Sequence, residues 1–115
     1  MNYFLSQPMR GLSDEEIIDN TNRFVKLIKN LNSKLNYINT LYFPTKSDIS
    51  HIKQENNSIF CLGKSIMRLA ECDCVVFVDN CIETNRGCSI EYLVAKKYGL
   101  TCYRLSTDMN LLEII

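Results

Sequence analysis

The sequence has no excess of either charge, because 13 lysines and arginines balance 13 aspartates and glutamates. Proteins that hold nucleic acid or an anionic membrane surface by bulk charge usually carry a basic excess. The balance therefore argues against both partners. It still allows a small site with local positive charge.

Long apolar runs and a targeting segment are also missing. No run approaches the roughly 20 residues that a membrane-spanning helix needs. The first residues do not combine a basic region with an apolar stretch, so they do not resemble a signal peptide. We therefore expect a cytoplasmic protein that does not enter a membrane. The 115 residues suffice for one hydrophobic core, which predicts a single domain over residues 1–115.

Histidine is scarce, and this bears on metal binding. The one histidine, His51, lies in a polar stretch, whereas six cysteines occur between Cys61 and Cys102. Cys72 and Cys74 would point to one face of a strand, but zinc needs two further ligands at workable spacing. Without a secretion signal, we interpret the cysteines as buried, reduced thiols rather than as a disulfide framework. We expect no metal and no cofactor.

Apolar patterns alternate between those of strands and those of helices. A short apolar run predicts a strand at Asn2–Ser6, and an S-x-x-E capping box at Ser13 and Glu16 begins a helix to about Leu31. "CDCVVFVD" is typical of a strand that is covered on both faces. Further strands are predicted in "LNYINTLYFP" and "TCYRL", and "TKSDISHIKQENNS" is a loop or a weak helix. Further helices are predicted in "SIFCLGKSIMRLAE", from Cys88 to Tyr98, and in the terminal "STDMNLLEII".

Such alternation indicates an α/β fold whose parallel sheet carries helices on both faces. Ligands of these sheets bind beyond the carboxyl ends of the strands. Three loops should lie there: Ser6–Gly11, the residues after Phe43, and Asp79–Gly87. Residues of these loops are therefore the candidates for a functional site.

The first loop contains Arg10 and Gly11. One guanidinium together with backbone amides of a glycine turn suits a phosphate or a carboxylate. The alternative is that Pro8 and Gly11 only shape the turn while Arg10 is solvated. This loop alone does not decide between the two interpretations.

The third loop leads into a helix that carries Glu91 on its first turns. A carboxylate there would face the same crevice as Tyr3 and Arg10, although a lone acid can equally be solvated or favour the helix dipole. "SIFCLGKS" is not a P-loop, because Ser58 stands where that motif requires glycine. Lys64 or Ser65 could instead contact a ligand from the helix that follows. Convergence of the loops on one sheet edge favours a site.

Three segments, "YFLSQPMRG", "LGKSIMRLAECDCVVFV" and "NRGCSIEYLVAKKYG", together resemble the nucleoside 2-deoxyribosyltransferase-like superfamily. The most similar pattern is that of a small branch with a Y-L-S-x-P-M-R-G start and an R-G-x-x-x-E helix. The resemblance spans nearly the whole chain, with the motifs in order. It implies a flavodoxin-like three-layer α/β/α sandwich with a parallel sheet of four or five strands. It also implies a homodimer or a higher homo-oligomer.

The resemblance implies cleavage or exchange at the N-glycosidic bond of a deoxynucleoside or its 5′-monophosphate. Glu91 matches the nucleophilic glutamate of the family, which forms a glycosyl ester that water or a second base resolves. Tyr3 matches a tyrosine whose hydroxyl holds that glutamate. Arg10 and Gly11 match a loop that contacts the 5′-phosphate, and Asn85 matches a residue that contacts the sugar or its phosphate. The implied substrate-binding residues are Ser6, Met9, Arg10, Gly11, Ser65, Asp79, Asn85, Arg86 and Gly87.

The sequence also departs from the catalytic members of that superfamily. Ser65 stands where they usually carry an acid that assists the leaving base, and Gln7 stands where they often have glycine. Asp79 or Glu83 could substitute for that acid. Two main hypotheses follow: an enzyme that acts on a nucleoside or nucleotide, and a non-catalytic protein that binds a nucleotide or nucleotide-derived signal in the same crevice. A third, weaker hypothesis is an interaction module with a vestigial pocket.

Overall fold

A computed structural model describes residues 1–39 and 41–115 of the chain. Five strands form one sheet: β1 (Asn2–Ser6), β2 (Asn36–Tyr37), β3 (Cys74–Val78), β4 (Thr101–Ser106) and β5 (Leu111–Ile114). The helices are α1 (Asp14–Leu31), α2 (Lys46–Ile49), α3 (Asn57–Leu69), α4 (Cys81–Thr84) and α5 (Arg86–Lys97), with a 3₁₀ turn at Gln54–Asn56. The strand order is β2–β1–β3–β4–β5. The first four strands are parallel, and β5 runs antiparallel to β4. The predicted α/β class is confirmed, and the sheet, predicted to be parallel, is parallel except for β5.

The predicted terminal helix in "STDMNLLEII" is wrong. Residues 107–110 form a turn, and Asn110, with a φ of 48°, reverses the chain. The following residues then pair with β4, from Ser106 opposite Leu111 to Tyr103 opposite Ile114. A segment of four residues such as "LLEI" is too short for periodicity alone to distinguish a helix from a strand. The side of β4 that faces away from β3 carries backbone N–H and C=O groups, and pairing with residues 111–114 satisfies their hydrogen bonds. This pairing favours a strand over a helix.

The second predicted strand is reduced to two residues, Asn36 and Tyr37. Within the predicted stretch, Thr40 lies outside the described residues, and residues 41–44 form no strand. The polar segment after Pro44 forms one short helix and the 3₁₀ turn, in keeping with the prediction of a loop or weak helix. The edge of the sheet beyond β1 is therefore short.

The capping box at the start of α1 is confirmed. Ser13 Oγ accepts a hydrogen bond from Glu16 N at 3.1 Å, and Ser13 N donates to Glu16 Oε1 at 3.0 Å. These contacts satisfy backbone donors that a helix start leaves without partners. The helix predicted to end at Tyr98 is confirmed as well, with Gly99 at a φ of +78° just after it.

Side chains alternate between the two faces of the sheet and build two hydrophobic clusters. One cluster combines alternate residues of the central strands with α1, and the other combines the intervening residues with α3 and α5. The first contains Tyr3, Leu5, Val76, Phe24 and Ile28; the second contains Phe4, Val75, Phe77, Leu69, Cys88 and Ala95. Both faces of the sheet therefore carry buried apolar side chains. Within the described part of the chain, every helix is too short or too polar to cross a membrane.

Candidate functional site

Strands β1 and β3 lie side by side in the sheet. The chain leaves β1 toward β2 on one side of the sheet, and leaves β3 toward β4 on the other. The loops after these two strands therefore separate at their carboxyl ends, which is where open α/β sheets bind ligands. The segments that meet this edge are the turn after Ser6 and the start of α5.

Glu91 is the buried acid of this region. It lies on the second turn of α5, has 7% of its surface exposed, and its Oε1 accepts a 2.7 Å hydrogen bond from Ser6 Oγ. Burial raises the pKa of Glu91 to about 7, while hydrogen bonding by the Ser6 and Ser65 hydroxyls acts in the lowering direction. Side chains of β1, α3 and α5 therefore meet at one carboxylate. Near neutral pH this group can gain or lose a proton, which suits acid–base or nucleophilic work.

The predicted contact between the Tyr3 hydroxyl and Glu91 is wrong. Successive side chains of a strand point to opposite faces, and Tyr3 belongs to the cluster on the α1 face, with its ring 5.7 Å from that of Tyr37. Ser6, three residues later, lies on the opposite face and contacts Glu91. Asn2 and Phe4 share that face with Ser6 by the same alternation, and neither has a hydroxyl. Ser6 therefore takes the place that the sequence assigned to Tyr3.

A tight turn follows β1 and presents Arg10. Leu12 N donates to Met9 O at 3.1 Å, and Gly11 has a φ of +84°, as the third residue of a type II turn requires. Arg10 is exposed, and among residues 1–39 and 41–115 no carboxylate forms an ion pair with it. Its guanidinium is therefore available for an anion at this edge of the sheet.

The start of α5 contributes polar groups, but one of the predicted ones has a structural role. Asn85 Oδ1 accepts a 3.0 Å hydrogen bond from Cys88 N and so caps the helix. A Cβ on Gly87 would lie 3.3 Å from this oxygen, so glycine leaves room for the cap. Arg86 is exposed at the first position of the helix. Arg86 is thus a candidate ligand contact, whereas the Asn85 side-chain oxygen is already engaged.

Asp79 and Glu83 are engaged by β4 and by the turn that follows it. Asp79, at a φ of 51°, accepts from Thr107 N at 2.8 Å and from Thr107 Oγ1. Arg104 forms a two-pronged ion pair with Glu83, at 2.6 and 3.1 Å, and also donates to the Asp79 carbonyl at 2.6 Å. Hydrogen bonding by Arg104 lowers the pKa of Glu83. A lowered pKa does not suit a group that must protonate a leaving base.

An open depression of about 500 Å³ lies beside these contacts and is lined in part by Asp79, Arg104 and Thr107. Sequence reasoning included Asp79 but missed Arg104 and Thr107. One signal was present, because Arg104 is a charged residue within the otherwise apolar strand "TCYRL". Its partner Glu83, in α4, could not be identified from sequence spacing.

Two buried thiols lie behind Ser6. Cys81 Sγ donates to the Ser6 carbonyl at 3.6 Å, and Cys81 and Cys88 are each 1% exposed. Hydrogen bonding to Cys88, together with burial, raises the pKa of Cys81, so this thiol keeps its proton. The thiols thus form apolar packing around the Glu91 contact. Within the described ranges, no three or more His, Cys, Asp or Glu residues are grouped so that they could hold a metal ion.

Lys64 and Ser65 have different positions relative to the site. The Lys64 ammonium lies 5.4 Å from the centre of the Tyr42 ring and 5.6 Å from that of Phe60, so it packs on aromatic faces. The Ser65 hydroxyl is close enough to Glu91 to favour the ionised carboxylate. Of these two predicted contacts, Ser65 is the one that reaches the buried acid.

Comparison with protein-family models finds no matching family, and comparisons with curated proteins and with solved structures find no match either.

Proposed function

We propose that the protein cleaves or transfers the N-glycosidic bond of a nucleoside or nucleoside 5′-monophosphate, with Glu91 as the nucleophile. The observation that carries this proposal is the buried Glu91 carboxylate, held by Ser6 at the carboxyl end of β1. Glu91 attacks the anomeric carbon, the bond to the base breaks, and a glycosyl ester forms. Water or a second base then attacks the same carbon and releases Glu91.

The electrostatics of Glu91 are compatible with this role. A nucleophile must be ionised, and with a pKa of about 7 a substantial fraction of Glu91 is ionised at neutral pH. The Ser6 and Ser65 hydroxyls favour that form. A buried negative charge also stabilises the oxocarbenium-like transition state of glycosidic cleavage, because water screens it little.

The 5′-monophosphate part of the proposal is supported by two exposed guanidiniums. Arg10 lies in the turn after β1 and Arg86 at the start of α5. Both segments follow carboxyl ends of strands next to the Glu91 contact. A guanidinium together with backbone amides of a helix start suits a phosphate.

The same proposal includes a flavodoxin-like three-layer α/β/α sandwich. The strand order and the apolar clusters on both sheet faces support it. We propose a cytoplasmic location on the grounds of the six free cysteines, since thiols stay reduced in that compartment. The homodimer is proposed from the family resemblance.

A second candidate function is non-catalytic binding of a nucleotide or nucleotide-derived signal in the same crevice. The observation that favours it is that α3 supplies the hydroxyl of Ser65, and not an acid, to Glu91. Glu83 is paired with Arg104, and Asp79 accepts hydrogen bonds from Thr107. Binding needs an anion contact but no proton donor for a leaving base.

One experiment separates the two functions. The purified protein is incubated with a panel of ribo- and deoxyribonucleosides and their 5′-monophosphates, and free base is quantified by liquid chromatography. Intact-protein mass spectrometry tests for the glycosyl ester on Glu91. We expect base release that falls at least about 100-fold in Glu91→Gln and is unchanged in Ser89→Ala, which alters an exposed serine of the same helix.

Two other outcomes would contradict the enzyme hypothesis. Absence of base release, together with calorimetric binding of a monophosphate that survives Glu91→Gln, supports the binding function and contradicts the enzyme. Absence of both base release and binding contradicts both functions.

A further inference from the structure

A second cavity, of about 480 Å³, lies on the opposite side of the sheet from Glu91. It is bounded by α1, β1 and β2, and its lining includes Tyr3, Tyr37, Lys26 and Lys29. Its volume falls within the range of small-molecule sites. The Tyr3 side chain belongs to the α1 face, so the sheet separates this cavity from the Glu91 crevice. The proposed nucleoside site does not use it.

The Tyr3 hydroxyl is a buried polar group that no side chain or backbone group in residues 1–39 and 41–115 satisfies. Tyr3 is 1% exposed, and its hydroxyl forms no hydrogen bond with any described residue. Burial raises the pKa of Tyr3, so the phenol stays protonated and can donate. A buried donor without a partner destabilises the folded protein. An acceptor atom of a ligand would supply the missing contact.

The cavity is also positively charged. Lys26 and Lys29 line it, no aspartate or glutamate does, and within the described ranges neither lysine forms an ion pair. Lys29 Nζ donates to two neutral oxygens instead, Ser33 O at 2.8 Å and Asn36 Oδ1 at 3.4 Å. Two ammonium groups without counter-charge favour an anionic ligand.

The remaining lining is largely apolar or amide in character. Val25, Leu35 and the Tyr37 ring contribute apolar surface, and three asparagines contribute amide groups. The Tyr3 and Tyr37 rings are tilted by 47° to one another, so they offer aromatic surface in two orientations. A flat apolar body with one anionic group matches this combination of surfaces.

We propose that this cavity is a binding site for a small aryl anion, with Lys26 and Lys29 contacting its phosphate or carboxylate and Tyr3 donating to an acceptor atom. The lysine side chains are long and flexible, so they can move to admit the ligand as far as the buried hydroxyl. Phosphate and carboxylate share the charge that the lysines recognise. Separate probes distinguish them.

Phenyl phosphate and benzoate serve as the anionic probes, inorganic phosphate lacks the ring, and phenol lacks the charge. Each is titrated into ¹⁵N-labelled protein, and amide shifts are followed by NMR. We expect saturable shifts for at least one aryl anion, centred on residues 22–37 and on Tyr3 and not on Ser6 or Glu91. Phosphate and phenol alone should bind at least about tenfold more weakly.

The double variant Lys26→Gln, Lys29→Gln should weaken the binding of whichever aryl anion binds wild type more tightly (the better probe) by at least about tenfold. The matched control is Lys53→Gln with Lys97→Gln, two exposed lysines outside the cavity, and it should leave affinity unchanged. Unsaturable shifts, shifts centred on Glu91, or equal losses in the two double variants would overturn the proposal.

Tyr3→Phe tests the hydroxyl separately, because it keeps the ring. We expect affinity for the better probe to fall about threefold to tenfold. The thermal midpoint should stay equal or rise, since the variant removes an unsatisfied buried donor. Wild-type affinity in a folded Tyr3→Phe protein would overturn the part of the proposal that assigns Tyr3 to the site.

Discussion

The Ser6 hydroxyl donates a 2.7 Å hydrogen bond to Glu91 Oε1 and thereby joins the end of β1 to the second turn of α5. Both residues are buried, with exposures of 1% and 7%. Burial disfavours the ionised carboxylate, whereas a donor at this distance stabilises it. The charge state of the buried acid therefore depends on a side chain 85 positions away in sequence.

Ser6→Ala should raise the pKa of Glu91 above its value of about 7, because the carboxylate loses its short hydrogen bond while its burial remains. The measurement is a pH titration of the Glu91 side-chain carboxyl carbon by NMR. Ser89→Ala is the matched control, since Ser89 is exposed on the same helix. An unchanged titration in Ser6→Ala would show that this hydrogen bond does not stabilise the charge.

Glu91→Gln should change how stability depends on pH. The pKa of Glu91 is about 7 in the folded protein, against 4.5 for the free side chain, so folding favours the protonated form. The contribution of Glu91 to the free energy of unfolding is fully present below about pH 4.5, and it is lost as the pH rises through about 7. The stability advantage of wild type over Glu91→Gln should therefore shrink by about 3 kcal/mol across this window.

Urea unfolding of both proteins at a series of pH values measures this difference. Glu16, Asp48 and Glu83 have lowered pKa values, and their contributions are lost as the pH falls. These contributions are common to both proteins and cancel in the comparison. Parallel stability profiles for the two proteins would mean that Glu91 titrates at its ordinary value.

Local signals predicted those elements whose determinants lie within the element itself. The capping box at Ser13, the apolar run at Cys74–Val78 and the glycine after α5 are of this kind. Strand β5 differs, because it exists through pairing with β4 and a turn at Asn110. Strand β2 pairs only with Asn2 and Tyr3 of β1, and the apolar pattern of its own residues does not show where this pairing ends.

The site shows the same division between local and non-local information. The position of Glu91 near strand ends followed from element order, and its burial beside Ser6 agrees with that reasoning. The prediction for Tyr3 failed because neighbouring residues of a strand point to opposite faces of the sheet. Tyr3 points to the α1 face, away from Glu91. The contact of Arg104 with Glu83 joins β4 to α4, and the periodicity of either element does not predict where the other lies.

Asp79 should tolerate asparagine better than alanine. Its φ of 51° is left-handed, a conformation that asparagine adopts more readily than alanine, and its carboxylate accepts from Thr107. We expect Asp79→Ala to lower the free energy of unfolding by about 2–3 kcal/mol, from the lost hydrogen bonds and backbone strain. Asp79→Asn keeps one side-chain acceptor and should lose less.

Asp79→Gly separates the two causes, because glycine accepts the left-handed conformation but supplies no acceptor. Urea denaturation of the three variants gives the comparison. Equal losses in Asp79→Ala and Asp79→Asn would contradict the account. A Gly variant as stable as wild type would show that the Thr107 contacts contribute nothing.

Gly11 and Gly63 should respond to alanine in opposite directions. Apart from the adjoining backbone, no described atom lies within 4 Å of a Cβ built on either residue, so a methyl group would meet no crowding from the rest of the described chain. Gly11 has a φ of +84°, where a side chain is strained, and Gly11→Ala should lower the free energy of unfolding by about 1 kcal/mol. Gly63 lies within α3, and Gly63→Ala should raise it by about 0.5–1 kcal/mol, since alanine favours helix.

The same pair of variants tests the Arg10 turn as an anion contact. Gly11→Ala disturbs the turn that presents Arg10. It should therefore weaken the binding of a nucleoside 5′-monophosphate more than the binding of the matching nucleoside. Gly63→Ala changes neither turn nor charge and should leave the ratio of the two affinities at its wild-type value. Calorimetric titration with both ligands measures this ratio. If Gly11→Ala weakens both ligands equally, Arg10 does not contact the phosphate, because only a charge contact distinguishes the two ligands.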